Sequence, residues 1–115
     1  MESKAALAAL SALSQATRLA IFRRLIQAGP EGLNVGALGA ALEVPGATLT
    51  AHLNKLRAAG LIADQREGRV IRCIAQYQRM DELIAYLLEN CCAGSSCTPA
   101  AACRPAPRQR KRKIP

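Results

Sequence analysis

The sequence predicts a mainly α-helical fold that carries one β-hairpin. Leu, Ile and Val recur at helical spacing as far as Leu88, in runs that Gly and Pro interrupt. Between residues 61 and 75 the pattern changes to two short strand-like runs around a glycine. A length of 115 residues leaves room for one domain. The chain is therefore interpreted as one helical domain with a hairpin.

The N-terminal part of the chain predicts two helices. Residues 2–13 form the first helix, in which Leu7, Leu10 and Leu13 make one apolar stripe. Ser14 is expected to cap a second helix, which runs to about residue 28 and stops at the following Gly-Pro. The residues of this helix that we expect to face inward are Leu19, Phe22, Leu25 and Ile26.

Two short helices are predicted next, separated by a tight break at residues 44–46. Asn34 is placed to cap a helix over residues 35–42, with Leu38 and Leu42 buried. The following helix ends at residue 59, and Gly60 supplies the left-handed residue that stops it. The apolar stripe of this fourth helix is Leu49, Leu53 and Leu56.

The C-terminal half predicts a hairpin, a last helix and a tail. Two strands, residues 61–66 and 69–75, flank Glu67-Gly68 and give the hairpin a basic tip. The last helix covers residues 77–91, with Met80, Ile84, Leu87 and Cys91 on one face. After residue 94 the composition cannot bury a core. We therefore expect a domain over residues 1–92 and a flexible tail over residues 93–115, which holds cysteine and basic residues.

The charge of the chain is uneven. Sixteen Lys and Arg against eight Asp and Glu give +8, and six of these bases lie in residues 104–115, which hold no acid. This basic run is interpreted either as a solvated tail without a partner or as a segment that attracts DNA phosphates without base specificity. A platform for single-stranded nucleic acid is disfavoured, because the chain has only three aromatic residues. The bases of the tail are Arg104, Arg108, Arg110, Lys111, Arg112 and Lys113.

Two short helices joined by a tight turn and followed by a hairpin are the layout of a winged helix-turn-helix. Such a fold places small polar side chains of its second helix against base edges in the major groove of DNA. Arginines at the hairpin tip are suited to phosphates or the minor groove. The alternative is a plain helical bundle whose exposed face is polar. The candidate DNA-binding residues are Thr48, Thr50, Ala51, His52, Asn54, Lys55, Arg66 and Arg69.

Three segments resemble the ArsR/SmtB family of winged-helix metalloregulators. They are ATRLAIF at residues 16–22, TLTAHLNKLRAAGLI at residues 48–62 and REGR at residues 66–69. The resemblance covers about residues 4–92 and implies a homodimer that represses transcription and leaves DNA when an inducer ion binds. The chain departs from the family pattern at residues 45–47, which read Pro-Gly-Ala where Ser-Gln-Ser is common. It also has Ala51 and Asn54 where His and Lys are frequent.

Four of the five cysteines crowd into residues 91–103. The odd count fits poorly with a disulfide framework, whereas a cluster of reduced thiols favours a metal or redox site. The segment ENCCAGSSC at residues 89–97 resembles family members whose arsenite site lies at the end of the last helix. Arsenite takes three soft thiolates, so the resemblance and the chemistry indicate Cys91, Cys92 and Cys97 as ligands of trivalent arsenic or antimony. Cys103 is a spare thiol, a substitute third ligand or the fourth ligand of a zinc or cadmium site.

Other interpretations of the cysteines stay open. The cluster is alternatively no specific site, a divalent soft-metal site, or a thiol-redox sensor on the same fold. A vicinal-thiol redox enzyme or metal carrier is less favoured, because the sequence has no Cys-x-x-Cys and places no His or carboxylate pair as a base. We therefore expect no enzymatic activity. Cys73 stands alone on a hairpin strand and is expected to be a small buried residue.

The first and last helices are expected to form the dimer surface. The stripe of Leu7, Leu10 and Leu13 would pack against Met80, Ile84 and Leu87. Residues 1–16 resemble a short secretory signal, but an acid cancels the nearby lysine and the apolar run is mostly alanine. A cytoplasmic repressor without a membrane span is the expectation.

Overall fold

The computed structural model of the chain describes residues 1–94, so the predictions for Cys97, Cys103 and the basic tail lie outside the described residues. The chain divides into two compact units, one from Met1 to Leu83 and a second that begins at Ile84. The elements are α1 (Ser3–Leu13), α2 (Ala16–Ala28), β1 (Leu33–Asn34), α3 (Val35–Leu42), α4 (Gly46–Ala58), β2 (Ile62–Glu67), β3 (Val70–Ala75) and α5 (Tyr77–Leu87). The predicted fold class, helical with a hairpin wing, is confirmed.

Helix α1 packs through alanines and leaves leucines outside. Its buried residues are Ala6, Ala9 and Ala12, whereas Leu7 and Leu10 are 64% and 41% exposed. Small side chains allow the helix to lie close to its neighbours. Leu7 and Leu10 of the predicted stripe therefore lie on an outer face of this unit, whereas Leu13 is half-buried.

Helix α2 begins one residue later than its predicted cap implies. The side chain of Gln15 caps it by accepting a hydrogen bond from the Arg18 amide at 2.8 Å, whereas the Ser14 hydroxyl donates back to the Ser11 carbonyl. The prediction that Ser14 is the cap is therefore wrong. The prediction that Leu19 faces inward is also wrong, since this side chain is 43% exposed. The buried residues of α2 are Ile21, Phe22 and Leu25.

Helices α3 and α4 form the helix-turn-helix. Asn34 caps α3 as predicted, because its Oδ1 accepts a hydrogen bond from the Ala37 amide at 2.6 Å. The predicted burial of Leu38 is confirmed, but Leu42, beside the turn, is only half-buried. A Cβ at Gly39 would stand 3.0 Å from Cδ2 of Leu49, so glycine permits the two helices to approach.

The three strands form an antiparallel sheet in the order β1-β3-β2. Glu67 pairs with Val70, which places the two-residue turn at Gly68-Arg69, one residue beyond the predicted position. Gly68 has a φ of +63°, which explains why a glycine stands there. The sequence did not predict β1, whose Leu33 pairs with Cys73, because two residues carry no readable alternation.

Helix α5 ends at Leu87, four residues earlier than predicted. Residues 88–91 form a turn, and Cys92–Gly94 form one turn of 3-10 helix. Asn90, Cys92 and Ala93 all have a φ of +58°, a left-handed value that an α-helix does not contain. The prediction that Cys91 shares a helical face with Met80 is therefore wrong.

No single helix within residues 1–94 is long and apolar enough to cross a membrane. Helices α1 and α2 meet that requirement only when taken together, and the chain bends by 101° between them.

Candidate nucleic-acid interface and cysteine pair

Helix α4 is anchored on one side and polar on the other. Its buried residues are Leu49, Leu53 and Leu56, as predicted. At about 100° per residue, the positions opposite this stripe belong to Ala51 and Asn54, with the other candidates at their flanks. Of the predicted DNA contacts on α4, the ones with exposed side chains are Thr48, Thr50, Ala51, Asn54 and Lys55.

Three of the predicted contacts of α4 are engaged within the protein: Thr50, His52 and Asn54. The Thr50 hydroxyl donates to the Gly46 carbonyl at 2.9 Å, so in this state it offers only acceptor sites to a ligand. His52 is half-buried, and its Nδ1 lies 3.5 Å from Nη1 of Arg18. Arg18 also donates through Nε to the Ala12 carbonyl at 2.7 Å. His52 therefore lies on the side of α4 that faces the junction of α1 and α2.

A cluster of polar side chains joins α4 to the wing. Arg57 donates through Nη1 to Asn54 Oδ1 at 2.8 Å and through Nε to Asp64 Oδ1 at 3.0 Å. Its Nη2 lies 4.0 Å from Sγ of Cys73, and this thiol lies 3.6 Å from the same Asp64 oxygen. We call Asn54, Arg57, Asp64 and Cys73 the α4–wing cluster. It ties α4 to both long strands of the sheet.

Burial raises the pKa of the Cys73 thiol, and the negative charge of Asp64 raises it further against an opposing effect of Arg57. Cys73 is fully buried, as the sequence predicts, but it is a hydrogen-bonding member of a cluster rather than a purely apolar residue. The thiol accordingly stays protonated at neutral pH.

The hairpin presents positive charge at its tip. Arg66 and Arg69 are exposed, as expected of residues that contact a DNA backbone. Arg72 donates through Nε to Glu67 Oε1 at 2.7 Å, so its charge is paired within the wing. Sequence reasoning missed Arg57 and Arg18. The spacing of three between Asn54 and Arg57 was a signal for the first, because such residues are neighbours on a helix.

An apolar cleft of about 370 Å³ opens beside α2. Arg23 and Gln27 form its polar rim. Together with the exposed leucines of α1, it is the part of this unit that would gain from a partner surface. Its apolar lining consists of Leu13, Leu19, Phe22, Ile26 and Met80.

Cys91 and Cys92 are adjacent residues in the turns that follow α5. Burial raises the pKa of Cys91, and the hydrogen bond to Cys92 and the charge of that neighbour raise it further. Two of the three predicted inducer ligands are thus together. Within residues 1–94 no group of three or more His, Cys, Asp or Glu side chains could hold a metal ion. The three-cysteine site, which needs Cys97, stays a prediction.

Residues 13–65 match a family described as a helix-turn-helix domain. Among solved structures, the chain is similar to an ArsR-like transcriptional regulator from Rhodococcus sp. RHA1, with 30% identity, 78% of this chain and 81% of that chain covered, and a TM-score of 0.67. The chain is also similar to HlyU from Vibrio cholerae N16961, with 29% identity, 76% of this chain and 97% of that chain covered, and a TM-score of 0.60. For NolR from Sinorhizobium fredii the identity is 28%, the similarity covers 82% of this chain and 89% of that chain, and the TM-score is 0.61. No curated protein matches the chain.

Proposed function

The chain belongs to the ArsR family of winged-helix transcriptional regulators, and we propose that it is a repressor that binds operator DNA as a homodimer and leaves it when trivalent arsenic or antimony binds. The observation that carries the DNA part of this proposal is the anchoring of α4. Its leucines are buried, while Ala51, Asn54 and Lys55 face outward. Small and amide side chains on an exposed helix suit the major groove, and exposed Arg66 and Arg69 suit the phosphates beside it.

One matched pair of variants tests the DNA part. Operators are first selected from a random duplex library, and affinities are then measured on the selected sequence and on unrelated DNA. Asn54→Ala removes a side chain proposed to contact a base, so binding should weaken by about 5- to 150-fold on the operator only. Lys55→Ala removes a proposed phosphate contact, so binding should weaken on both DNAs with a shallower salt dependence. Equal losses for Asn54→Ala on both DNAs would contradict the base-reading role.

The homodimer is supported by apolar surface that one subunit leaves exposed. Leu7 and Leu10 project from α1, and burial of one leucine side chain contributes about 1.5–3 kcal/mol. Leu7→Glu should shift the protein to monomers in sedimentation equilibrium, because it places a charge in that surface. Ala47→Glu, at an exposed position of α4, is the matched control and should leave the dimer intact. A dimer that persists in Leu7→Glu would place the interface elsewhere.

The proposed inducer site consists of Cys91, Cys92 and Cys97. The first two are neighbours in the chain, which supports a shared ligand. Soft trivalent ions prefer a donor set of thiolates alone, and the bound ion would cross-link the three cysteines. Zinc would need a fourth ligand, for which Cys103 is the candidate. Metalloid binding is thus the function that the vicinal pair supports best.

Release from DNA requires that the inducer favour one conformation of the dimer. The cysteine pair follows α5 after one turn, and we propose that Met80, Ile84 and Leu87 of α5 contribute to the dimer surface. Because dimers must match half-sites about one DNA turn apart, a small change at this helix alters binding. A shift from about 99% to about 1% competent dimer requires about 5.5 kcal/mol of differential affinity.

The inducer is tested by DNA release against arsenite, antimonite, zinc, cadmium and peroxide. Cys91→Ser, Cys92→Ser and Cys97→Ser should each bind DNA normally and stay bound when arsenite is added. Cys103→Ser is the matched control and should still release. If Cys103→Ser stays bound to DNA when arsenite is added while Cys97→Ser is released, Cys103 is the third ligand. Release by zinc or cadmium alone would indicate a divalent-metal sensor, and release by peroxide alone a redox sensor.

A further inference from the structure

Arg57 of the α4–wing cluster determines which way the side-chain amide of Asn54 is turned. A guanidinium has five N–H donors and no acceptor, so the Asn54 atom that it contacts at 2.8 Å is necessarily the oxygen. The amide oxygen is directed at Arg57, and the NH₂ group on the other side of the same carbon is left for a ligand. Asn54 therefore presents a hydrogen-bond donor.

Arg57 is held from two further sides. Its Nε lies 3.0 Å from an oxygen of Asp64, and its Nη2 lies against the buried thiol of Cys73. The thiol in turn contacts the Asp64 carboxylate at 3.6 Å. A guanidinium with two anchors on the sheet has little freedom to release Asn54, so the orientation of the amide is set before DNA arrives.

The orientation matters because bases differ in what they present in the major groove. An unrestrained Asn contacts adenine through both amide atoms, donating to N7 and accepting from the N6 amino group. An amide with its oxygen turned toward Arg57 leaves that amino group without an acceptor. Guanine presents two acceptors, N7 and O6, which suit an NH₂ donor.

On the basis of the proposed function, we infer that Arg57, braced by Asp64 and Cys73, is a positioning residue that makes Asn54 select guanine over adenine. Arg57 acts here through the amide of Asn54 rather than by contacting the base. This assigns a specificity-determining role to a residue that the motif of the recognition helix does not single out.

The test uses the full chain and the selected operator. The base pair read by Asn54 is the one at which Asn54→Ala removes discrimination, and the parent protein should prefer guanine there over adenine by about 5- to 150-fold. Arg57→Leu frees the amide, so the guanine-to-adenine ratio should fall to near one or invert. Arg66→Leu removes the same charge without touching Asn54, so it should lower both affinities and leave the ratio unchanged.

A second variant keeps the test decisive if Arg57→Leu does not fold. Position 54 is exposed, so Asn54→Asp should fold. The aspartate keeps an oxygen for Arg57 and replaces the outward NH₂ with an acceptor. The base preference should therefore move from guanine toward cytosine, whose N4 amino group is a donor. The inference is overturned if the parent prefers adenine, if Arg57→Leu keeps the parental ratio, or if Asn54→Asp keeps the guanine preference. It is also overturned if Asn54→Ala removes discrimination at no base pair of the operator, since Asn54 would then read no base. Failure of the parent to select any sequence would instead refute the proposed function, and this inference with it.

Discussion

Gly32 is a position where one added methyl group should damage the fold. It lies just before β1 with a φ of +69°, a value that costs an alanine about 1–2 kcal/mol. A Cβ here would also overlap the carbonyl oxygen of Cys73 and stand 2.8 Å from Cγ1 of Ile74. Since a backbone carbonyl cannot rotate away, β1 and β3 must separate, which costs about 1–3 kcal/mol more. Gly32→Ala should therefore destabilise the protein by about 2–5 kcal/mol.

Gly68→Ala is the matched control for this prediction. Gly68 has a similar φ of +63°, but a Cβ there meets nothing within 4 Å. The loss of stability in Gly68→Ala should be the conformational cost alone, so the two variants should differ in stability by the steric cost at Gly32. In thermal unfolding followed by circular dichroism, Gly32→Ala should melt at least about 4 °C below Gly68→Ala. Equal melting temperatures would refute the argument that β1 is packed against the backbone of β3.

Three further predictions concern pH and salt. Because burial raises the pKa of Cys73 in the folded state, the unfolded chain ionises first, and stability should fall as pH rises from about 8.5 toward the folded pKa. Chemical denaturation across this range should show a smaller fall for Cys73→Ala, and an unchanged fall would assign the effect to another group. Deletion of residues 104–115 should flatten the plot of log K against log salt by about 0.9 for each phosphate that the tail neutralises, with operator preference intact; an unchanged slope would mean that the tail does not touch DNA. When neutral arsenous acid binds three thiols, their protons leave in water molecules and no net proton is released, whereas a divalent ion displaces protons into solution. The affinity for cadmium should therefore rise with pH, while the affinity for arsenite should change little. Since the pKa of Cys91 is raised, the cadmium response should extend above the usual thiol range, and an arsenite response equally steep would argue against the neutral metalloid.

The candidate site was predictable where it depends on the face of one helix. The spacing of Leu49, Leu53 and Leu56 determines which side of α4 is buried and therefore exposes Ala51 and Asn54. The link from Arg57 to the wing was not predictable. Arg57 reaches Asp64 and Cys73, which are 7 and 16 residues away, only because the wing folds back beside α4.

Local sequence was sufficient for the features that neighbouring residues encode. The cap at Asn34, the left-handed stop at Gly60 and the buried stripe of α4 each depend on residues within about one helical turn. Features that depend on distant residues needed the folded chain: the pairing of β1 with β3, and the approach of His52 to Arg18 across 34 positions. Helical periodicity also failed to predict the end of α5 at Leu87, since the apolar pattern continues to Cys91. Periodicity and caps are properties of a local backbone, whereas strand pairing and side-chain clusters are settled by which surfaces meet when the chain is folded.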